Sequence, residues 1–344
     1  MLRNIYKYFR GKLSPTQKSI ISKLIFTYSN KPFVKKDTIP KSSKFPNGEK
    51  GGVIISADFE LAWAWRYAKH YPDPYKISIE MAQQARRNFP VLLKQLEKFN
   101  ISITWATVGH LFLNKCQNGD HDWMKRIKYF ENRNWKFENG DWYDFDPYSD
   151  ISINNNWYAT DLVKSIISSK VKHEIATHTF SHIDFSDNNC PDEVANDEII
   201  ASIKAMKKFN LTPVSIVFPG GTWGNTKTLK KHGIKIYRKN TKYDLAYPYF
   251  DDNGLLVTIS SAGFGKMHDW SADYYLTRYK KYIDKAISTG TIAHFWFHPS
   301  LDEWTLNNIF PEIFKYINKL NIQKILWVGT MKDIANYIIN NKVM

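Results

Sequence analysis

The chain has 344 residues, 43% of them hydrophobic. That is long enough for one large domain with a buried core, or for two small ones, and too apolar for a disordered chain. Lys and Arg number 48 against 33 Asp and Glu, a formal net charge of +15, which either is spread diffusely over the surface or draws anionic partners such as nucleic acid, anionic lipid or acidic sugars. No finger, helix-turn-helix or aromatic RNA-binding motif accompanies the charge, so nucleic acid is not an expected partner. The only cysteines, Cys116 and Cys190, suit neither a disulfide framework nor a CxxC knuckle and are expected as reduced thiols. No run of about eighteen apolar residues occurs, and the start MLRNIYKYFRGKLSPTQKS lacks the apolar core of a secretory signal; a cytoplasmic protein is the simplest expectation.

Residues 1–50 form a basic N-terminal extension broken by Pro15, Pro32, Pro40 and Pro46. They read as an appendage or as a membrane-surface helix making peripheral membrane contact, with TQKSIISKLIFTYS as the helix-like part. From residue 51 to 344 a regular pattern sets in. The apolar, β-branched runs VIISADFE, ISITWATVG, HEIATHTFSH, PVSIVFPG, IKIYRKN, LLVTISSAG, TIAHFWFHP and KILWVGT predict strands, and ISIEMAQQARRNFPVLLKQLEKFN, PDEVANDEIIASIKAMKKFN and YLTRYKKYIDKAIST predict helices between them. Strand then helix, repeated about seven times, argues for an α/β fold with a mainly parallel sheet, open or closed into a barrel, and places the chemistry at the carboxyl ends of the strands. Residues 115–160, rich in Asn, Asp, Trp and Tyr, interrupt the rhythm as a long insertion over one end of the barrel.

His178 and His182 have the i,i+4 spacing that puts two imidazoles on one side of a helical turn, within reach of one Zn²⁺. HEIATH is not a zincin motif, because three residues separate Glu174 from His178 where HExxH has two. The first strand adds Asp58 and Glu60. Acids one residue apart on an extended chain point to the same side, so one can bind a metal while the other contacts its water; the bland alternative is a capping Asp58 beside a solvated Glu60. In TIAHFWFHP, His294, Trp296 and His298 share a face. A terminal His298 suits a general acid, whereas His294 reads as a hydrogen-bonded histidine of the barrel wall.

These three pieces, in this order, resemble the polysaccharide deacetylases of carbohydrate esterase family 4, the NodB-type homology domain, over about residues 50–335, and look most like a bacterial branch associated with surface-polysaccharide biosynthesis. The resemblance implies a distorted (β/α)7-type barrel and a metal-dependent hydrolase that removes an acetyl or other acyl group from an N-acylated sugar or polysaccharide precursor. ATHTFSH matches the family's H(S/T)xxH motif, which assigns two metal ligands to His178 and His182. SADFE matches its TFDD-like motif with a shift: Asp58 takes the place of the catalytic base, Phe59 that of the usual ligand, and Glu60 is left to complete a site for Zn²⁺ or another divalent metal. HFWFHP matches the last motif and passes the role of proton donor to the leaving amine to His298. The arginine-bearing third motif is replaced by VFPGGTWG. Either Arg238 supplies the missing charge, or the site is catalytically weak, or the glycines open space for another acyl substituent. The turn Gly220-Gly221-Thr222 is expected to offer a backbone N–H to the oxyanion, and Trp63, Trp65, Trp223, Trp270 and Trp296 are candidate sugar contacts or core residues. The rival expectations are a non-sugar amide hydrolase and an inactive, glycan-binding relative.

Overall fold

The computed structural model describes residues 13–28, 32–40 and 45–341; residues 1–12, 29–31 and 41–44 of the basic extension lie outside the described residues. The helix-like part of that extension is a helix, Pro15–Tyr28. The predicted strands form, in chain order, β1 Gly51–Phe59, β2 Thr104–Thr107, β5 Glu174–Thr177, β6 Ser215–Val217, β7 Ile236–Lys239, β9 Leu256–Gly263, β10 Ile292–Phe297 and β11 Leu326–Val328. The insertion contributes the two-residue strands β3 Phe130–Glu131 and β4 Lys136–Phe137, and β8 Tyr249–Phe250 pairs antiparallel with β9.

Hydrogen bonding runs β10-β1-β2-β5-β6-β7-β9 and returns to β10. Seven parallel strands thus close on themselves, while β11 pairs with β1 outside the ring. This is the (β/α)7 barrel. Helices Pro74–Lys98, Asp192–Lys207 and Ala272–Thr289 lie between the strands where their patterns predict them. The period of two sorts the side chains of β1. Val53, Ile55, Ala57 and Phe59 join the large outer core, whereas Ile54 joins Ala106, Val217, Ile236, Leu256 and Ile292 in a second cluster capped by Met331, Ile334 and Ile338.

That cap is helix Met331–Asn340, started by a Thr330–Asp333 capping box. Its first N–H groups donate to Thr104 Oγ1 at 2.9 Å and to Glu174 Oε2 at 2.8 Å. Glu174 therefore works at the amino end of β5, accepting also from Thr104 and Ser215 hydroxyls. With the amino end plugged, the opening lies at the carboxyl end.

Candidate active site

At the end of β1 the alternation decides which side chains enter the barrel. Phe59 points outward, its ring 5.5 Å from Phe89 and 5.9 Å from Trp105. It is fully buried and offers nothing to a metal. Asp58 and Glu60 point inward on either side of it, and both are 5% exposed.

Glu60 meets the histidines that follow β5. Its Oε1 lies 2.9 Å from His178 Nε2 and 3.1 Å from His182 Nε2, and its Oε2 lies 3.5 Å from His298 Nε2. The two histidines do not share a helical turn as their spacing predicts. Residues 178–182 are irregular, with Thr179 at φ 61° and His182 at φ 60°, a left-handed conformation that non-glycine residues adopt only when their surroundings impose it. Two residues outside the motifs impose it here. Buried Glu198, on helix Asp192–Lys207, accepts the N–H groups of Phe180 at 2.8 Å and Ser181 at 2.9 Å and the Ser181 hydroxyl. Buried Arg66 donates to the Ser181 carbonyl at 3.0 Å, and its guanidinium lies 4.4 Å from the Trp142 ring.

The donor set fits a divalent ion. His178 Nδ1 lies 2.6 Å from the Val217 carbonyl, which can only accept, so in the neutral ring Nε2 presents a lone pair to Glu60. Burial pushes the His182 imidazole down to about 4, against the upward pull of Glu60. Burial opposes a charge on Glu60, but the neighbouring His298 and His182 and the imidazole contacts outweigh it and hold the carboxyl well below its usual range. An ionised carboxylate between two neutral imidazoles, one of them turned so that its Nε2 lone pair faces inward, is a set of ligands that a cation joins.

Asp58 is held from across the barrel. Arg238, on β7, donates through Nη1 to Oδ1 at 2.8 Å and through Nη2 to Oδ2 at 2.6 Å, a planar two-pronged contact that compensates a buried carboxylate. Arg238 Nη1 also donates to Ser56 Oγ at 2.7 Å, Ser56 Oγ lies 3.0 Å from His294 Nε2, and His294 Nδ1 lies 2.9 Å from Thr258 Oγ1. Because arginine only donates, the Ser56 hydroxyl hydrogen is left for His294 Nε2, and His294 donates onward to Thr258. Burial and then Arg238 hold His294 well below the usual imidazole range. His294 thus belongs to the wall, as its position predicts. His298 stands at the mouth with a 30% exposed side chain, its ring 5.8 Å from Trp65 and 5.5 Å from Trp296.

Asp58, Glu60, His182, Arg238, Trp296 and His298 line one cavity of about 280 Å³, together with Trp65 and Gly221. Other expectations are corrected. Trp63 is fully buried, its indole N–H donating to the Trp157 carbonyl at 3.2 Å, so its ring cannot meet a sugar. Trp270 is bonded to Ser19, and Trp223, though exposed, lies under Lys239 outside the cavity. The N–H groups of Gly221 and Thr222 already donate to Phe218 and Pro219 within their own turn, and the Thr222 hydroxyl bridges Pro219 and Phe185. The glycines open no space: a Cβ on Gly220 would meet the Trp135 ring at 2.8 Å, and both residues need positive φ. Trp135, from the insertion, packs 5.0 Å from His182 and was not foreseen, nor were Glu198, Arg66 and Ser56.

The model for polysaccharide deacetylases matches residues 80–237, a stretch that holds His178 and His182 and ends just before Arg238. No curated protein sequence matches the chain. Among solved structures, a candidate polysaccharide deacetylase from Mycobacterium smegmatis is 16% identical, with a TM-score of 0.62 over 89% of this chain and 96% of that one. A probable polysaccharide deacetylase from Pseudomonas aeruginosa PAO1 is 13% identical over the same shares with the same score. PuuE allantoinase is 12% identical, also at 0.62, over 91% of this chain and 98% of its own. Such identities speak for the fold alone. The sequence match within that fold makes residues 80–237 similar to polysaccharide deacetylases, over somewhat less than half of the chain.

Proposed function

We propose that the protein is a metal-dependent hydrolase that removes an acetyl group from an N-acylated sugar or polysaccharide precursor. The observation that carries this reading is the two-pronged grip of Arg238 on Asp58, whose carboxylate lies within 4.8 Å of Glu60 and of His298. On this reading base, ligand carboxylate and proton donor would act together at one cavity.

Glu60, His178 and His182 would hold the ion. Bound there, a divalent metal such as Zn²⁺ supplies Lewis acidity to the scissile carbonyl and to the attacking water. Asp58 takes the water's proton on a carboxylate oxygen whose position Arg238 fixes. His298 Nε2 gives a proton to the departing nitrogen, with the rings of Trp65 and Trp296 packed beside its own. The inactive-binder reading rested on a missing arginine, and Arg238 stands where that charge is needed.

Surroundings of the cavity support a carbohydrate. Through Ala68 and Tyr71 it adjoins an open groove of about 790 Å³ bordered by Tyr75, Phe145, Lys69 and Lys136. Exposed rings beside hydrogen-bonding side chains suit the alternating apolar faces and hydroxyl edges of a sugar chain. The positive segment 1–50 supports a cytoplasmic protein in peripheral contact with an anionic membrane surface. No helix among the described residues is long and apolar enough to cross a membrane.

The test is acetate release from N-acetylated nucleotide sugars and oligosaccharides, beside a panel of small cyclic and linear amides, before and after chelation. Metal-restored acetate release from a sugar is expected. Hydrolysis confined to the small amides would replace the sugar by a non-sugar amide as substrate, and no hydrolysis of either would overturn the reading.

A further inference from the structure

The insertion carries a second cluster of metal-ligating side chains. His110, Cys116, His121 and Asp146 are all buried, and one ligand atom from each lies within 4.8 Å of the others. His110 sits in the 3-10 turn Gly109–Phe112 that follows β2; the other three come from separate irregular stretches of the insertion. Asp146 Oδ2 lies 3.0 Å from His110 Nε2 and 3.8 Å from His121 Nε2, and Cys116 Sγ lies 2.9 Å from His121 Nε2.

Hydrogen bonding accounts for only part of this convergence, the Cys116–His121 contact. Asp146 Oδ1 is satisfied by the Tyr148 N–H at 3.1 Å and the Tyr158 hydroxyl at 3.2 Å. Its Oδ2 meets His110 Nε2 in a close ion-pair contact without hydrogen-bond geometry, and His110 Nδ1 has no hydrogen-bond partner among the described residues. Burying polar atoms so poorly satisfied is costly, and native interiors seldom do so at one point without a function or an ion. Rings close the site to water: Trp63 lies 4.4 Å from His110, Tyr143 4.8 Å from His121, and Phe180 within 5.6 Å of both.

We infer that His110, Cys116, His121 and Asp146 form a structural site for a divalent transition metal of the zinc class, separate from the one at Glu60. Two imidazoles, a thiolate and a carboxylate are a borderline-soft tetrahedral set whose two negative charges neutralise a dication. With metal–nitrogen and metal–sulfur bonds of about 2.0–2.3 Å, the ligand atoms of a tetrahedron stand roughly 3.3–3.8 Å apart, so small side-chain adjustments complete the shell. With four buried protein ligands the set leaves no open position for a substrate, which marks it as structural. The ion clamps the insertion to the end of β2. There the Gly109 and His110 N–H groups donate to the carbonyls of Thr179 at 2.8 Å and Phe180 at 2.9 Å, so the clamp reaches the loop that carries His178 and His182.

Cobalt(II) separates the two sites, because only this one has a thiolate and only a thiolate gives near-ultraviolet sulfur-to-cobalt charge-transfer absorption. The full-length protein, stripped by chelation and reloaded with cobalt(II), is expected to bind two ions per chain and to show that absorption. Cys116→Ala should lose the absorption and one ion; His178→Ala should lose the other ion and keep the absorption. Cobalt bound without the absorption, or absorption that survives Cys116→Ala, would overturn the inference. Should Cys116→Ala fail to fold, wild type and His178→Ala still decide it, since absorption must appear in both. Loss of no ion in His178→Ala would count against the proposed catalytic metal and leave this site standing.

Discussion

Arg238 and Asp58, 180 residues apart in the chain, meet as a buried two-pronged ion pair across the barrel, with both oxygens of the carboxylate held by both terminal nitrogens of the guanidinium. A carboxylate so fixed keeps its unshared lone pairs aimed at one place, which is what a base acting on a positioned water needs.

Arg238→Gln removes that geometry and leaves Asp58 buried beside a neutral amide. Turnover should fall on the order of 100-fold, with metal content unchanged because Arg238 touches no metal-site residue. Arg238→Lys should restore little, since an ammonium cannot span both oxygens. Steady-state kinetics paired with metal analysis of the same samples checks this; a drop in metal that parallels the drop in rate would assign Arg238 to holding the site together.

Glu198 acts one step from the metal site, through the Phe180 and Ser181 N–H groups. In Glu198→Gln one of the accepting oxygens becomes a donor, and the left-handed Thr179 and His182 lose part of what holds them. Metal affinity should weaken by about 10- to 100-fold, as is typical when a group orienting the ligands is lost, with KM for substrate little changed once metal is saturating. Competition with a chromophoric chelator measures it, and unchanged affinity would show that Arg66 alone suffices for the loop.

His173 lies away from both metal clusters and accepts the Ile103 N–H at Nδ1, at 3.2 Å. Burial pushes its imidazole from 6.5 down to about 4. Between those values the unfolded chain holds the proton that the folded chain refuses. The stability this neutral histidine allows is fully present above about pH 6.5 and is lost as pH falls toward 4, by up to about 1.4 kcal/mol per pH unit. His173→Asn keeps an acceptor for Ile103 without the titration, so its denaturation midpoint should decline less steeply with acid than that of the wild type. Equal slopes would mean that His173 takes up its proton in the folded state.

Much of the site was legible because alternation along a strand is a local property. VIISADFE and TIAHFWFHP show which residues share a face, and Asp58, Glu60, Trp296 and His298 do line one cavity. The histidine pair was legible as a pair and misread as a helical turn, because its conformation is imposed by Glu198 and Arg66 from other parts of the chain. Trp63 illustrates the same limit: its place beside the active strand suggested a sugar contact, and only the packing of the insertion shows it enclosed. The cluster of His110, Cys116, His121 and Asp146 was not legible, because its spacing follows no metal motif and the turns that join it are irregular.

The most direct test of the account is Asp58→Asn, with acetate release from an N-acetylated oligosaccharide and bound metal measured on the same preparation. Asparagine cannot take the water's proton, and Glu60, His178 and His182 remain in place to hold the ion. The account predicts turnover reduced to background with metal content equal to that of the wild type. Turnover that persists in Asp58→Asn would contradict it.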